Sequence, residues 1–165
     1  MNDTNKFAQS LKHNRAFTAK LLFDLHLIIT EQAADVYRDM GIIFPVSVSS
    51  TVLYLNSVEQ ASLTQIAKAL SQPHQLISQR IKTLLKLDLL VKSSDKVDKR
   101  RTFYSLSSVG KQQGKLLKEY CYGAEVAFNN ISEEIGVDLH ELLNQSIDSL
   151  HKNSFSNRWK RTEND

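Results

Sequence analysis

The stretch SLTQIAKALSQPHQLISQRIKTLLKLDLLVKSSDKVDKRRTFYSLSSVG, residues 62–110, decides the fold. Ser62 and Gln65 have the spacing of a capping box, in which the hydroxyl bonds the amide three residues on and the Gln side chain reaches back to the Ser62 amide. A helix therefore starts at Ser62. Leu63, Ile66, Ala67 and Leu70 recur at helical spacing and give it one apolar stripe over about two turns, too short a helix to stand alone. After Ser71-Gln72, Pro73 suits the first turn of a second helix, where its missing N–H is not needed. That helix is predicted over about 73–87. Ile77, Ile81, Leu84 and Leu85 lie on one of its faces, and Gln75, Ser78, Gln79, Lys82 and Lys86 on the other.

The second face carries no acid. Gln and Lys offer donors to base edges, Ser pairs with either a donor or an acceptor, and a helix of this width fits the major groove of DNA. A solvated surface is the plainer reading of such a face, so the context decides. Leu89-Leu90-Val91-Lys92 and Thr102-Phe103-Tyr104-Ser105-Leu106 are short and rich in β-branched or aromatic residues, with Ser93-Ser94-Asp95 as turn formers between them. They predict a two-stranded hairpin over about 89–106. Its tip and second arm hold Lys96, Lys99, Arg100 and Arg101, cations suited to phosphate and to a narrow minor groove. Asp98, two residues before Arg100, is placed to pair with the guanidinium and hold its aim. A chance ion pair on an exposed hairpin would contribute little.

Asp98-Lys99-Arg100, followed after five residues by Leu106-Ser107-Ser108-Val109-Gly110, resembles the wing signature of the MarR family of bacterial regulators, Asp-x-Arg and then Leu-Thr-x-x-Gly. Leu63-Thr64 through Leu70, the helix with Ser78, and Leu84 onward to Val91 are similar to that family's helix-turn-helix in order and spacing. The resemblance implies a mainly α fold with a small β-hairpin wing, a winged helix-turn-helix DNA-binding lobe over 44–110. Helical dimerisation parts would come from 1–43 and 111–165. It implies that Arg100 enters the minor groove, with Lys99 and Arg101 beside it, that Asp98 orients it, and that Gln75, Ser78, Gln79 and Lys82 face the major groove. Three departures stand out. Asp88 occupies the place where the family has Gly, Pro73 replaces a Ser or Asp cap and leaves Ser71 or Gln72 to satisfy the first amides, and Ser107 replaces Thr while keeping the capping hydroxyl.

Charge points the same way. Arg80 to Arg101 holds eight basic residues against Asp88, Asp95 and Asp98, an excess of +5 in a chain of net +3, so the remainder is net −2. A localised positive field is the footprint of a phosphate-binding surface rather than of a generally basic protein.

Helical patterns flank this module. Phe17, Leu21, Leu25, Ile28, Ile29, Val36, Tyr37 and Met40 trace one long stripe that should stop near Gly41. Pro45 opens a helix with Val48, Val52, Leu53 and Leu55. Ser107 caps a long helix whose Leu116, Leu117, Tyr120, Ala124, Ala127, Phe128 and Ile131 face inward, with Glu133-Glu134 as a solvated turn after it. Asp138, with Glu141 at capping-box spacing, starts a last helix through Leu150. Residues 1–12 and 158–165 are polar and expected to be mobile. The apolar stripes exceed what one small lobe covers, so a homodimer built from the N- and C-terminal helices is expected; a compact six-helix monomer is the alternative.

A chain of 165 residues with 41% hydrophobic content and five Gly builds a helical core, and its polar N-terminus and lack of a long apolar run lead us to expect a cytoplasmic protein. One cysteine excludes an intrachain disulfide framework. Cys121, with Lys118 one turn away to lower its pKa modestly, reads as a structural thiol rather than a redox sensor. The five histidines show no helical metal-pair spacing, and no metal or cofactor is expected. His74 is placed to touch phosphate. No phosphate loop, nucleophile elbow or paired carboxylates suggest an enzyme. His26, Tyr37 and Tyr54 are candidates for a cleft taking a small aromatic or anionic effector, a possibility the family resemblance brings. The expected function is a sequence-specific transcriptional regulator, a repressor, on a pseudo-palindromic operator. The alternatives are a winged-helix protein-interaction module without DNA binding and sequence-indifferent DNA coating.

Overall fold

Ser62 does begin a helix, and its capping box is complete: the Gln65 amide donates to Ser62 Oγ at 3.3 Å, and the Ser62 amide donates to Gln65 Oε1 at 2.8 Å. Around it the computed structural model describes residues 3–94 and 101–160. In chain order these are α1 (Asp3–His13), a 3-10 turn (Arg15–Phe17), α2 (Thr18–Asp39), a second 3-10 turn (Val46–Val48), α3 (Ser49–Ser57), β1 (Ala61–Ser62), α4 (Leu63–Ala69), α5 (His74–Lys86), β2 (Leu90–Ser94), β3 (Thr102–Leu106), α6 (Ser108–Ile135), α7 (Leu139–Lys152) and α8 (Phe155–Lys160). The fold is mainly helical with a small antiparallel sheet of order β1-β3-β2.

Residues 1–120 form one compact unit and 121–165 another. In the first, Val52 and Leu55 of α3, Ile66 of α4, Ile77, Ile81 and Leu84 of α5, Leu89, and Leu117 of α6 make the core. Helix α2 stops at Gly41, whose φ of 72° glycine adopts without steric cost; the Gly41 amide donates to Arg38 O, and the Ile42 amide to Tyr37 O. In the second unit the Asp138 carboxylate caps α7 by accepting the Glu141 amide at 2.9 Å. Arg158 draws α8 onto α7, its Nη2 donating to Ser149 O and Oγ.

Several expectations need correcting. The N-terminal dozen, expected mobile, contains α1, whose last turn carries Lys12, where a cation favours a helix end. Arg158 to Lys160, also expected mobile, belong to α8, while 161–165 lie outside the described residues. Pro73 is the residue before the first helical turn, with ψ of 141°, and no side chain caps α5 there. Ser93 and Ser94 are strand rather than turn, pairing with Phe103 and Thr102: once β3 is fixed on one side, the ladder overrides weak local preference. Glu133 and Glu134 continue α6, which runs to Ile135 before the left-handed Gly136. Glu141 accepts from Gln145 Nε2 at 2.8 Å, a partner one turn on, instead of closing a capping box.

The end of α5 shows what Asp88 does in place of glycine. Its φ is 56°, the left-handed conformation that lets the Asp88 amide reach Leu85 O and the Leu89 amide reach Leu84 O. Aspartate tolerates this geometry at a cost that glycine does not incur. Asp88→Gly is expected to raise unfolding stability by about 0.5–1 kcal/mol, read from the denaturant midpoint, the gain being limited by the greater freedom of Gly in the unfolded chain.

Candidate nucleic-acid interface

The two faces of α5 separate as its sequence period requires. Ile77, Ile81 and Leu84 are buried against α3 and α4, whereas Gln75, Gln79, Lys82 and Lys86 are exposed and Ser78 is half-buried. The four expected major-groove residues, Gln75, Ser78, Gln79 and Lys82, thus share one stripe on the solvent side, with Lys86 extending it. His74 is exposed at the head of the same helix. No acid occurs in the first turn of α5, and Lys86 occupies the last.

Strand β2 packs beside α5 and pairs with β3 from Leu90↔Leu106 to Ser94↔Thr102. On the other side β3 pairs with β1 through Ala61↔Tyr104 and Ser62↔Phe103, so the residue that caps α4 also belongs to the sheet. The hairpin is anchored at its base by Ser107. Its Oγ donates to Asp88 O at 2.7 Å and accepts the Gly110 amide at 3.0 Å, while its own amide donates to Leu89 O at 2.9 Å. The end of α5, the end of β3 and the start of α6 therefore meet at one hydroxyl.

Arg101 is exposed at the edge of β3, its guanidinium 5.5 Å from the centre of the Phe103 ring, a cation–π distance that steadies the side chain. Asp98, Lys99 and Arg100 lie outside the described residues, and so does the expected Asp98–Arg100 pairing. Arg80, counted with the basic field, donates from Nη1 to Ser50 Oγ of α3 at 3.1 Å. Sequence reasoning also missed Gln113. It is 8% exposed, and its Oε1 accepts the Ile43 amide at 2.9 Å while Nε2 donates to Gly41 O at 3.0 Å.

The candidate effector residues differ in exposure. Tyr37 is buried, its hydroxyl 2.7 Å from Ser49 Oγ and its ring edge-on to Phe44 and Tyr120. His26 is exposed and Tyr54 half-buried. Tyr37 does line a hollow with Ala34, Arg38, Ile42, Phe44 and Val46, and neither His26 nor Tyr54 borders it. Burial pushes the Cys121 thiol above its ordinary pKa, contrary to the modest lowering expected from Lys118, so the reactive thiolate is disfavoured. Among the described residues no group of three His, Cys, Asp or Glu side chains could hold a metal ion, and no helix is long and apolar enough to cross a membrane.

Helix, turn, helix and hairpin in this order define a winged helix-turn-helix. Residues 44–101 match the model of the MarR family. Solved structures of the same fold include an S. aureus MepR–DNA complex (20% identity, 81% of this chain and 98% of that one, TM-score 0.65). The adhesin competence repressor AdcR of Streptococcus pyogenes is similar at 19% identity, covering 82% of this chain and 96% of that one with a TM-score of 0.59. A probable transcriptional regulator from Pseudomonas aeruginosa matches at 21% identity over 76% and 95%, with a TM-score of 0.56. No curated protein matches the sequence significantly.

Proposed function

We propose that this chain is a DNA-binding transcriptional regulator that reads a pseudo-palindromic operator as a homodimer and represses. The observation that carries the reading is the acid-free stripe of exposed Gln75, Gln79, Lys82 and Lys86 with half-buried Ser78 on a helix whose opposite side is core, set in a winged helix that matches the MarR-family model. Gln offers a bidentate match to adenine and Lys to guanine, and each good pair discriminates against the wrong base by about 1–3 kcal/mol. Lys99, Arg100 and Arg101 supply phosphate and minor-groove contacts, with Asp98 aiming Arg100. A homodimer is favoured by apolar side chains left in water on both units: Leu22, Phe23 and Ile28 of α2 in the first, Ile147, Phe155 and Trp159 in the second. Two-fold symmetry would then present two reading helices to successive major grooves. A small aromatic or anionic effector, with His26, Tyr37 and Tyr54 as candidate contacts, would release DNA by preferring the spacing that misfits the operator, a coupling of about 1–3 kcal/mol.

Selection of bound duplexes from random DNA at about 0.15 M salt, near physiological ionic strength, tests this. Wild type is expected to enrich an inverted repeat. Arg100→Ala and Gln79→Ala should each weaken operator binding by about 1–3 kcal/mol, and Gln79→Ala should also relax the base preference at one position. A folded dimer that enriches nothing would overturn the proposal in favour of a protein-interaction module. Equal losses on operator and random DNA for Gln79→Ala would favour sequence-indifferent coating.

A further inference from the structure

The inner side of α5 carries a cation. Arg80 lies three residues after Ile77 and four before Leu84, both 0% exposed, so all three share one side of the helix, opposite Gln75, Gln79, Lys82 and Lys86. Arg80 is half-buried there. Its Nη1 donates to Ser50 Oγ at 3.1 Å in the first turn of α3, and its Nε is buried with no acceptor. Among the described residues no carboxylate forms an ion pair with it; the partner is a neutral hydroxyl. A buried Nε left unsatisfied costs free energy that an aliphatic side chain at this place in the helix would avoid, and the bond to Ser50, which lies at the exposed margin of the contact, offsets little of it. Stability alone therefore does not account for Arg80.

What the arginine supplies is direction. Ile77, Ile81 and Leu84 hold α5 by apolar contact, which settles which side of the helix is buried and leaves the finer adjustment of its roll to directional contacts. A hydrogen bond is angular and short-ranged, and a single one to a neighbouring helix sets that roll. The acceptor is itself on a held element. The adjacent Ser49 Oγ is 2.7 Å from Tyr37 Oη and donates to Val46 O at 2.6 Å, so the first turn of α3 is tied to α2 on one side and to α5 on the other. We propose that Arg80 is a positioning residue that, through Ser50, sets the roll of α5 and thereby the aim of Gln75, Ser78, Gln79 and Lys82. The proposal rests on the DNA-binding reading above and assigns Arg80 no contact with DNA.

The test compares wild type, Arg80→Met, Ser50→Ala and the double variant on the selected operator and on random duplex across a salt series. In parallel, hydrogen exchange of the DNA-free protein is followed. Arg80→Met retains an unbranched stem, and Ser50→Ala alters an exposed side chain, so the second remains informative if the first fails to fold. Each single variant is expected to lose about tenfold on the operator and much less on random DNA, with the double variant no worse than either. The salt slope should stay at the wild-type value, and amides 74–86 should lose protection in both variants while those of α4 keep it. A salt slope shallower by about one would make Arg80 a phosphate contact and overturn the proposal. So would wild-type specificity in Ser50→Ala, or unchanged exchange in α5. If wild type selects no sequence, the DNA-binding reading fails and the specificity role falls with it, while the exchange arm still decides whether the bond holds α5.

Discussion

Gly110→Ala is expected to cost about 2–4 kcal/mol of stability, several times the ordinary effect of a surface substitution and opposite in sign to the usual gain from replacing a helical glycine. An added Cβ would stand 2.1 Å from Leu89 O and 3.3 Å from Leu106 Cδ2, so the clash is with backbone rather than with a side chain able to swing away. Leu89 O cannot retreat freely, because it accepts the Ser107 amide at 2.9 Å and Leu89 is wholly buried. Relief would have to push α6 off the base of the hairpin, loosening the Ser107 bonds to Asp88 and Gly110. Denaturant unfolding measures the loss. Gly123→Ala on the same helix, where an added Cβ meets nothing within 4 Å, is the control and should instead stabilise by about 0.5–1 kcal/mol. Similar outcomes for the two glycines would contradict the steric account.

Gln113→Leu is expected to destabilise by about 2–3 kcal/mol although it swaps a polar residue for an apolar one of similar volume in a nearly buried place. The amide serves two backbone groups at once, accepting from Ile43 N–H and donating to Gly41 O. Leucine fills the space and leaves both without a partner. The two groups flank Ile42, which is 6% exposed, so Gln113 clamps the segment leaving α2 onto α6. Thermal or denaturant unfolding of Gln113→Leu reads the effect. A loss below about 0.5 kcal/mol would mean that water replaces the amide at both positions.

The parts of this fold that were legible in the sequence are those whose physics is local. Ser62 with Gln65, Asp138 and Ser107 cap helices through bonds to residues three away, and Gly41 ends α2 through its own backbone angle. The polar stripe on α5 followed from period alone. Features set by distant partners did not show. Strand β1 is two residues long and exists because Ala61 and Ser62 meet Tyr104 and Phe103; neither residue announces a strand. Ser93 and Ser94 read as a turn until β3 is placed opposite them. Gln113 touches residues 70 and 72 positions away. Arg80 looked like one more cation in a basic run, although its spacing from Ile77 and Leu84 was a visible signal that it belonged to the inner side. Asp88 is the intermediate case: the resemblance marked a glycine position, and its positive φ supplies the reason.

Mechanically, the meeting of Asp88, Leu89, Ser107 and Gly110 makes the hairpin a cantilever. Its root, at Leu90↔Leu106, is clamped by three hydrogen bonds and a glycine contact without slack, while its outer pairing ends at Ser94↔Thr102. A beam fixed in this way does not absorb a load at its outer end; it delivers a bending moment to the clamp. Here the clamp joins the turn that follows α5 to the first turn of α6. A pull on the hairpin therefore arrives at α5 and at α6 together, and a twist imposed on the start of α6 is returned to the hairpin as displacement magnified by its length.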